Sequence, residues 1–332
     1  MAEVSGISVG ITGLGAYVPE RIVTNAEIAQ LFDVTPEWIE SMSGIRQRHY
    51  AAPDQAASDL GLIAARRAME QAKVLPPDLD LIIVATATPD MQFPSTACLI
   101  QDGIGAHSCP AFDLTANCSG FVYGLTVGAQ FITNGFYKTV LVIGTEVCSR
   151  ANDTTNLDTY MLFGDGAGAA ILQAVPNGHG ILSACLGADG SGGSFMMAQA
   201  GRSRLPATPE LLAQNRHKAQ MNGAEIFVFA MRTLPKVTLQ ALDLANLTTN
   251  DLKLIVPHQA NQRIIAAAAR RMELPIEKFL VNMERFGNTS SATIPIALVE
   301  AVSAGLVKSG DVIALTGFGG GLTWGSVILR WI

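Results

Sequence analysis

Residues 77–84, Pro77-Asp78-Leu79-Asp80-Leu81-Ile82-Ile83-Val84, and residues 250–256, Asn250-Asp251-Leu252-Lys253-Leu254-Ile255-Val256, share one pattern: an acidic turn running into an apolar, β-branched stretch, about 173 positions apart. Nearly the same displacement joins Thr139-Val140-Leu141-Val142-Ile143-Gly144 to Asp311-Val312-Ile313-Ala314-Leu315-Thr316-Gly317, about 172. It also joins Asn117-Cys118-Ser119-Gly120 to Gly287-Asn288-Thr289-Ser290, about 170. Hydrophobic strands look alike, so one match carries little weight. Three matches in the same order at a near-constant offset indicate an internal duplication. The chain reads as two similar halves, 1–172 and 173–332.

Working outward, short apolar runs bounded by turn residues recur at Val9-Gly10-Ile11-Thr12 and Ala169-Ala170-Ile171-Leu172 as well as in the repeated pieces. Strands buried on both faces have this look. Residues 58–72, 120–133, 261–271 and 293–304 carry helical spacing of apolar side chains. The alternation predicts an α/β protein with layered, mixed sheets. Counting glycine in and tyrosine out, roughly 57% of the 332 residues are apolar against a usual ~45–50%, and 15% are charged against ~25%. Such a composition excludes a disordered chain and predicts a homo-oligomer that hides part of its surface.

The net charge of −6 argues against a whole-molecule attraction to nucleic acid and leaves any acidic partner to a local basic patch. Five cysteines, Cys98, Cys109, Cys118, Cys148 and Cys185, form no C-x-x-C pair and read as reduced thiols. Residues 1–19 show no basic stretch ahead of an apolar one, and no segment approaches ~18 apolar residues in a row. A cytoplasmic protein without membrane contact is expected. The glycine runs Gly164-Asp165-Gly166-Ala167-Gly168 and Gly317-Phe318-Gly319-Gly320-Gly321 are not followed by the Lys-Ser/Thr of a phosphate loop, and Gly13-Leu14-Gly15 lacks the third glycine of a dinucleotide fingerprint. A nucleotide cofactor is therefore not expected.

Three residues carry candidate chemistry. Cys118 stands between the strand-like Ala111-Phe112-Asp113-Leu114 and the helix-like 120–133. A thiol at a helix N-terminus feels the positive end of the dipole, which predicts a lowered pKa and a nucleophilic thiolate; a lone cysteine is also commonly a small core residue. His258 ends the apolar run 254–257, at the carboxyl end of a buried strand where ligands gather in open α/β sheets; a structural histidine fits the same place. Asn288 occupies, at the 170-residue offset, the place that Cys118 has in the first half. Pseudo-twofold symmetry would bring the two helix openings face to face beside His258. An N-cap asparagine fits that position as well.

A wider set of stretches runs in order along the chain: Glu37-Trp38-Ile39, Ser43-Gly44-Ile45-Arg46-Gln47-Arg48-His49, Phe93-Pro94-Ser95-Thr96-Ala97-Cys98, Cys118-Ser119-Gly120-Phe121, Phe163-Gly164-Asp165-Gly166-Ala167-Gly168-Ala169, Val256-Pro257-His258-Gln259-Ala260-Asn261, Gly287-Asn288-Thr289-Ser290 and Phe318-Gly319-Gly320-Gly321-Leu322-Thr323-Trp324-Gly325. Together, from about Gly6 to Trp331, they resemble the β-ketoacyl-acyl-carrier-protein (ACP) synthase III family of thiolase-like condensing enzymes. The resemblance implies a thiolase-like α/β fold, two similar halves in an α-β-α-β-α core. It also implies a two-step Claisen condensation. Cys118 would take the acyl group from an acyl-CoA, His258 and Asn288 would stabilise the enolate formed as malonyl-ACP loses CO₂, and the N–H groups of Cys118 and Gly320 would form the oxyanion hole. Phe163 would orient the cysteine, Phe93 would cross a homodimer interface to close the partner's acyl pocket, and Trp38 and Asn261 would sit at the CoA entrance. Arg263, Arg270 and Arg271 would dock the acidic carrier protein. Acyl-CoA and malonyl-ACP are substrates, and no cofactor or metal is implied.

The sequence departs from the better-known bacterial members at the entrance, where Met42 and Leu157 replace arginines and Val228 replaces a lysine. Fewer cations weaken a phosphate grip, so a longer acyl-CoA or a carrier-bound primer is expected unless Arg150, Arg202 or Arg204 compensates. Two further readings stand beside the condensing enzyme. One is an acyltransferase or polyketide-priming relative that passes the acyl group to another acceptor; the other is a catalytically silent carrier-binding partner.

Overall fold

The computed structural model describes residues 6–332, and the part of the N-terminal reading that concerns residues 1–5 lies outside them. A five-stranded sheet is built from β1 (Val9–Tyr17), β2 (Leu81–Ala85), β3 (Ala111–Leu114), β4 (Val140–Val147) and β5 (Asp165–Ala174), in the spatial order β1-β5-β4-β2-β3. A four-stranded sheet follows from β6 (Gly180–Ala188), β7 (Leu252–Pro257), β8 (Val312–Gly319) and β9 (Thr323–Arg330), in the order β7-β8-β9-β6. The residues of β2 and β4 are buried throughout, which is why those runs are almost uniformly apolar.

Strand register makes the duplication explicit. β2 and β4 run parallel with Leu81 opposite Val140, and β7 and β8 run parallel with Leu254 opposite Ile313. Both members of the second pair lie 173 residues after those of the first. β5 is antiparallel to β4 and β1, as β9 is to β8 and β6. The counterpart of β3 is reduced to a single parallel bridge between Ile255 and Phe279.

Seven helices position the site: α1 (Pro36–Ser43), α2 (Ala57–Ala72), α3 (Thr96–Ile104), α4 (Gly120–Thr133), α5 (Gly223–Leu244), α6 (Gln262–Arg271) and α7 (Thr293–Ser303). α4 and α7 lie between the two sheets and touch strands of both; α2 and α3 cover the outer face of the first sheet, and α5 with α6 that of the second. The result is the layered α-β-α-β-α core. The expected helices appear within a residue of their sequence bounds, because Asn261 is the N-cap of α6 and Ala304 the C-cap of α7. Along α4, Gly120, Gly124 and Gly128 share one face, and a Cβ on Gly124 would lie 2.7 Å from Val142 Cγ1. Their spacing lets the helix lie directly on the strands while Phe121, fully buried, contributes about 1.5–3 kcal/mol from the same helix.

Candidate active site

Ahead of α4, residues Asn117–Ser119 make a 3₁₀ turn, entered by Asn117 at a φ of 46°. The turn sets Cys118 in the wall of a cavity of about 710 Å³ that His258, Asn288, Phe163, Asn261 and Gly320 also line. The end of β8 closes on Cys118: a Cβ on Gly319 would lie 2.7 Å from Cys118 N and 3.0 Å from Cys118 Cβ. No side chain fits there. Asn117 Nδ2 donates to Gly320 O (3.0 Å) and Thr323 Oγ1 also donates to it (3.1 Å), fixing the turn that carries the Gly320 N–H.

His258 leaves the end of β7, its backbone N–H donating to Thr316 O on β8 (2.8 Å). Its ring packs edge-on against Phe318, and burial pushes its pKa down to about 3, so the imidazole is neutral. Nδ1 lies 2.7 Å from Thr293 Oγ1, which is itself 3.0 Å from Ser290 O. The hydroxyl has one proton for two acceptors. Donated to Ser290 O, it leaves Nδ1–H donating to Thr293 and a free lone pair on Nε2; donated to Nδ1, it keeps the proton on Nε2.

Asn288 is fixed on both sides, its N–H donating to Leu162 O (2.9 Å) and its carbonyl accepting from Gly164 N (3.0 Å). Gly287 enters this pairing at a φ of 66°, where a Cβ would also lie 2.8 Å from Leu162 O. Asn288 Oδ1 accepts from Ser290 N (2.9 Å), so the amide presents its NH₂ as the remaining donor. Asn288 is neither an N-cap nor the counterpart of Cys118. The second-half 3₁₀ turn is Ser290–Ala292, entered by Ser290 at a φ of 50° and followed by α7. At the 173-residue offset of the strands, Cys118 corresponds to Ser291. The 170-residue match paired similar letters three positions out of structural register.

The expected lowering of the Cys118 pKa is also corrected. Burial pushes the thiol up to about 12; the Ser290 hydroxyl opposes the shift and the Glu146 carboxylate adds to it. A helix terminus contributes at most ~2 kcal/mol, which full desolvation of a thiolate exceeds. At rest Cys118 is a thiol.

Sequence reasoning passed over two buried groups that hold the site. Glu146, at the end of β4, accepts from Ser291 Oγ (2.8 Å), Ser290 Oγ (3.0 Å), Thr88 Oγ1 (2.6 Å) and Ala87 N (3.1 Å). The guanidinium of Arg48 donates to Asn25 Oδ1 (2.9 Å), Val23 O (3.3 Å) and Met161 O (2.6 Å), bracing the segment that leads to Phe163. A signal existed for Glu146, the one charged residue in a largely apolar strand. Arg48 is one arginine among several near it.

The entrance residues are partly gathered. Asn261 donates to Met42 O (3.0 Å) and, as N-cap, accepts from Arg263 N. Arg263 reaches Ser41 O (2.8 Å) on α1. Trp38 is 39% exposed on the same helix, outside the cavity wall, and Leu157 and Val228 lie beside wall residues Asp158 and Phe227. Among the described residues, Asp158 is the one carboxylate in that wall, and no lysine or arginine joins it. Arg150 is engaged by Ala52 O and Pro53 O. Arg202, Arg204, Arg270 and Arg271 are exposed, Arg271 donating to Met231 O. Phe93 is 80% exposed and stands outside the cavity wall that Phe163 joins. No helix among the described residues is long and apolar enough to cross a membrane.

The sequence profile for 3-oxoacyl-[acyl-carrier-protein (ACP)] synthase III matches residues 112–190, and the profile for its C-terminal part matches residues 242–331. A β-ketoacyl-ACP synthase III of Symbiobacterium thermophilum is 51% identical over 97% of this chain and 98% of its own length. The crystal structure of the Aquifex aeolicus synthase III superposes with a TM-score of 0.91 at 40% identity, covering 97% of this chain and all of the other. The priming β-ketosynthase of the R1128 polyketide pathway gives 0.91 at 34% identity, over all of this chain and 98% of the other.

Proposed function

The chain belongs to the 3-oxoacyl-[acyl-carrier-protein] synthase III family, and from that premise we propose that it starts fatty-acid synthesis by condensing an acyl primer from acyl-CoA with malonyl-ACP. The observation that carries this reading is the convergence of Cys118, His258 and the NH₂ end of Asn288 on one cavity. In the first half-reaction the Cys118 sulfur bonds to the primer carbonyl as the bond to CoA sulfur breaks. The thiol proton passes to the departing CoA thiolate, with the neutral His258 as its acceptor on the way. The Cys118 and Gly320 N–H groups hold the tetrahedral oxyanion. In the second, malonyl-ACP loses CO₂ and the electron pair moves onto its thioester oxygen as an enolate. Asn288 Nδ2–H and His258 Nε2–H donate to that oxygen. The enolate carbon then attacks the acyl-Cys118, releasing 3-ketoacyl-ACP and the Cys118 thiolate, which takes a proton from solvent water to restore the thiol. The two proton placements open to Thr293 suit His258 to both half-reactions.

The same reading makes the protein a homodimer, since the exposed Phe93 and Met91 form an apolar tip suited to closing the partner's acyl pocket. The exposed Arg263, Arg270 and Arg271 on α6 give a net-negative enzyme a local surface for an acidic carrier protein. Its substrates put the work in the cytoplasm without metal or cofactor. In the test, acetyl-CoA and malonyl-ACP are incubated with the enzyme and the carrier product is read by mass. 3-Ketoacyl-ACP is expected, and none with Cys118→Ala. Primer transfer to another acceptor with no malonyl consumption would instead make it an acyltransferase.

A further inference from the structure

A second cavity, about 120 Å³, is walled by Asn117, Cys148, Asn152 and Ser290 and shares Phe163 and Met196 with the main one. Asn117 precedes the nucleophile and the Ser290 hydroxyl lies against its thiol, so this chamber opens behind Cys118. Asn152 is 1% exposed, yet neither Nδ2 nor Oδ1 of its amide has a hydrogen-bond partner among the described residues. Leaving a buried amide unpaired is costly, and buried polar groups are nearly always satisfied. The neighbouring polar groups are committed: Asn117 to Gly320 O, and Ser290 and Thr88 to Glu146. The backbone around Asn152 is pinned as well, by Asn152 N to Cys148 O (3.1 Å) and Ala219 N to Ala151 O (2.8 Å).

We propose that the amide of Asn152 selects primers whose acyl chain carries a hydroxyl or oxo oxygen, which it hydrogen-bonds in the chamber behind Cys118. At ~30 Å³ for a water-sized group, the chamber holds about four non-hydrogen atoms beyond the thioester carbonyl. A 3-hydroxybutyryl group has that number: three carbons and the hydroxyl oxygen. The inference rests on the reading that the acyl group is carried by Cys118. The competing occupant is one bound water, which would satisfy the amide and leave primer choice untouched.

The test compares the acylation of Cys118 by butyryl-CoA and by each enantiomer of 3-hydroxybutyryl-CoA, followed by intact-protein mass, in the wild type and in Asn152→Leu, which keeps the number and branching of the side-chain heavy atoms and removes the polar ones. For one enantiomer the hydroxybutyryl-to-butyryl rate ratio is expected to exceed one in the wild type and to fall at least tenfold in the variant. A ratio taken within each protein cancels differences in active fraction. Equal ratios in the two proteins would overturn the proposal in favour of a bound water. If Asn152→Leu does not fold, the wild-type ratio decides, and a preference for butyryl over both enantiomers overturns it. Acetyl-CoA with malonyl-ACP is run in parallel. Failure of every donor to acylate Cys118 would sink the condensing reading and this inference together, whereas normal acetyl turnover with equal ratios sinks this one alone.

Discussion

The turn at Asn117–Ser119 and the turn at Ser290–Ala292 are built alike and used differently. Each is entered by a residue at a φ near 50°, each opens a helix between the sheets, and each packs on a glycine of the other half's strand. A Cβ on Gly317 would lie 3.3 Å from Cys118 O, and one on Gly144 would lie 2.4 Å from Ser291 O. Two residues further along those strands the halves diverge. Opposite Cys118 stands Gly319, which has no side chain, and opposite Ser291 stands Glu146, whose carboxylate takes up the hydroxyls of both Ser290 and Ser291. The first turn therefore faces a cavity and the second is plugged. One strand residue separates a turn that faces a cavity from one that is anchored, and the anchor also sets Asn288 through the Ser290 N–H.

The largest effect should come from moving the proposed nucleophile. Cys118→Ala is expected to lower condensation by at least ~10⁴-fold, and adding Ser291→Cys should restore none of it, because Glu146 fills the space that a substrate would need. Acyl label on the thiol introduced at position 291 of the double variant, found by peptide mass mapping, would break the comparison.

Next come the two groups proposed to hold the enolate. His258→Ala and Asn288→Ala are each expected to slow discharge of the acyl-enzyme by malonyl-ACP ~10²–10³-fold. Asn288→Ala should leave acylation of Cys118 within a few-fold of wild type, as single-turnover mass measurements can show.

Removing the plug's charge should act more gently. Glu146→Gln puts an NH₂ among groups that donate, and is expected to cost about 1–3 kcal/mol in urea unfolding. It should also lower the ratio of discharge to acylation rates by loosening Asn288. An unchanged ratio with reduced stability would make Glu146 structural alone.

The smallest signal is a slope. With the Cys118 thiol pushed up to about 12, the thiolate fraction grows tenfold per pH unit below that value, so the logarithm of the iodoacetamide rate at Cys118 should rise with unit slope from pH 7 to 10. A plateau below pH 9 would restore the dipole-activated thiolate.

Much of this is legible in the sequence, and for a physical reason. Strands buried on both faces are built mainly from apolar residues, so Leu81–Ala85, the first half of Val140–Val147 and their repeats stand out. Cys118 before a helix and His258 after a buried strand stand where the sequence places them, whereas Asn288 is singled out by an offset that the structure shows to be out of register. What is not legible needs depth or register. The 170-residue match of Asn117-Cys118-Ser119-Gly120 to Gly287-Asn288-Thr289-Ser290 follows letters, whereas the backbone repeats the positive-φ residue, and that is Ser290. The direction of the Cys118 pKa shift depends on distance from water, and a place before a helix does not reveal that distance. Asn152, Arg48 and Glu146 matter through burial that only the packed layers create.

The most direct test of the account is to map the acyl-enzyme of the wild type, formed with acetyl-CoA, by peptide mass and then to add malonyl-ACP. The account predicts the whole label on Cys118, none on Ser291, and its complete transfer into 3-ketoacyl-ACP. Label at any other residue, or a Cys118 acyl group that malonyl-ACP cannot remove, would contradict it.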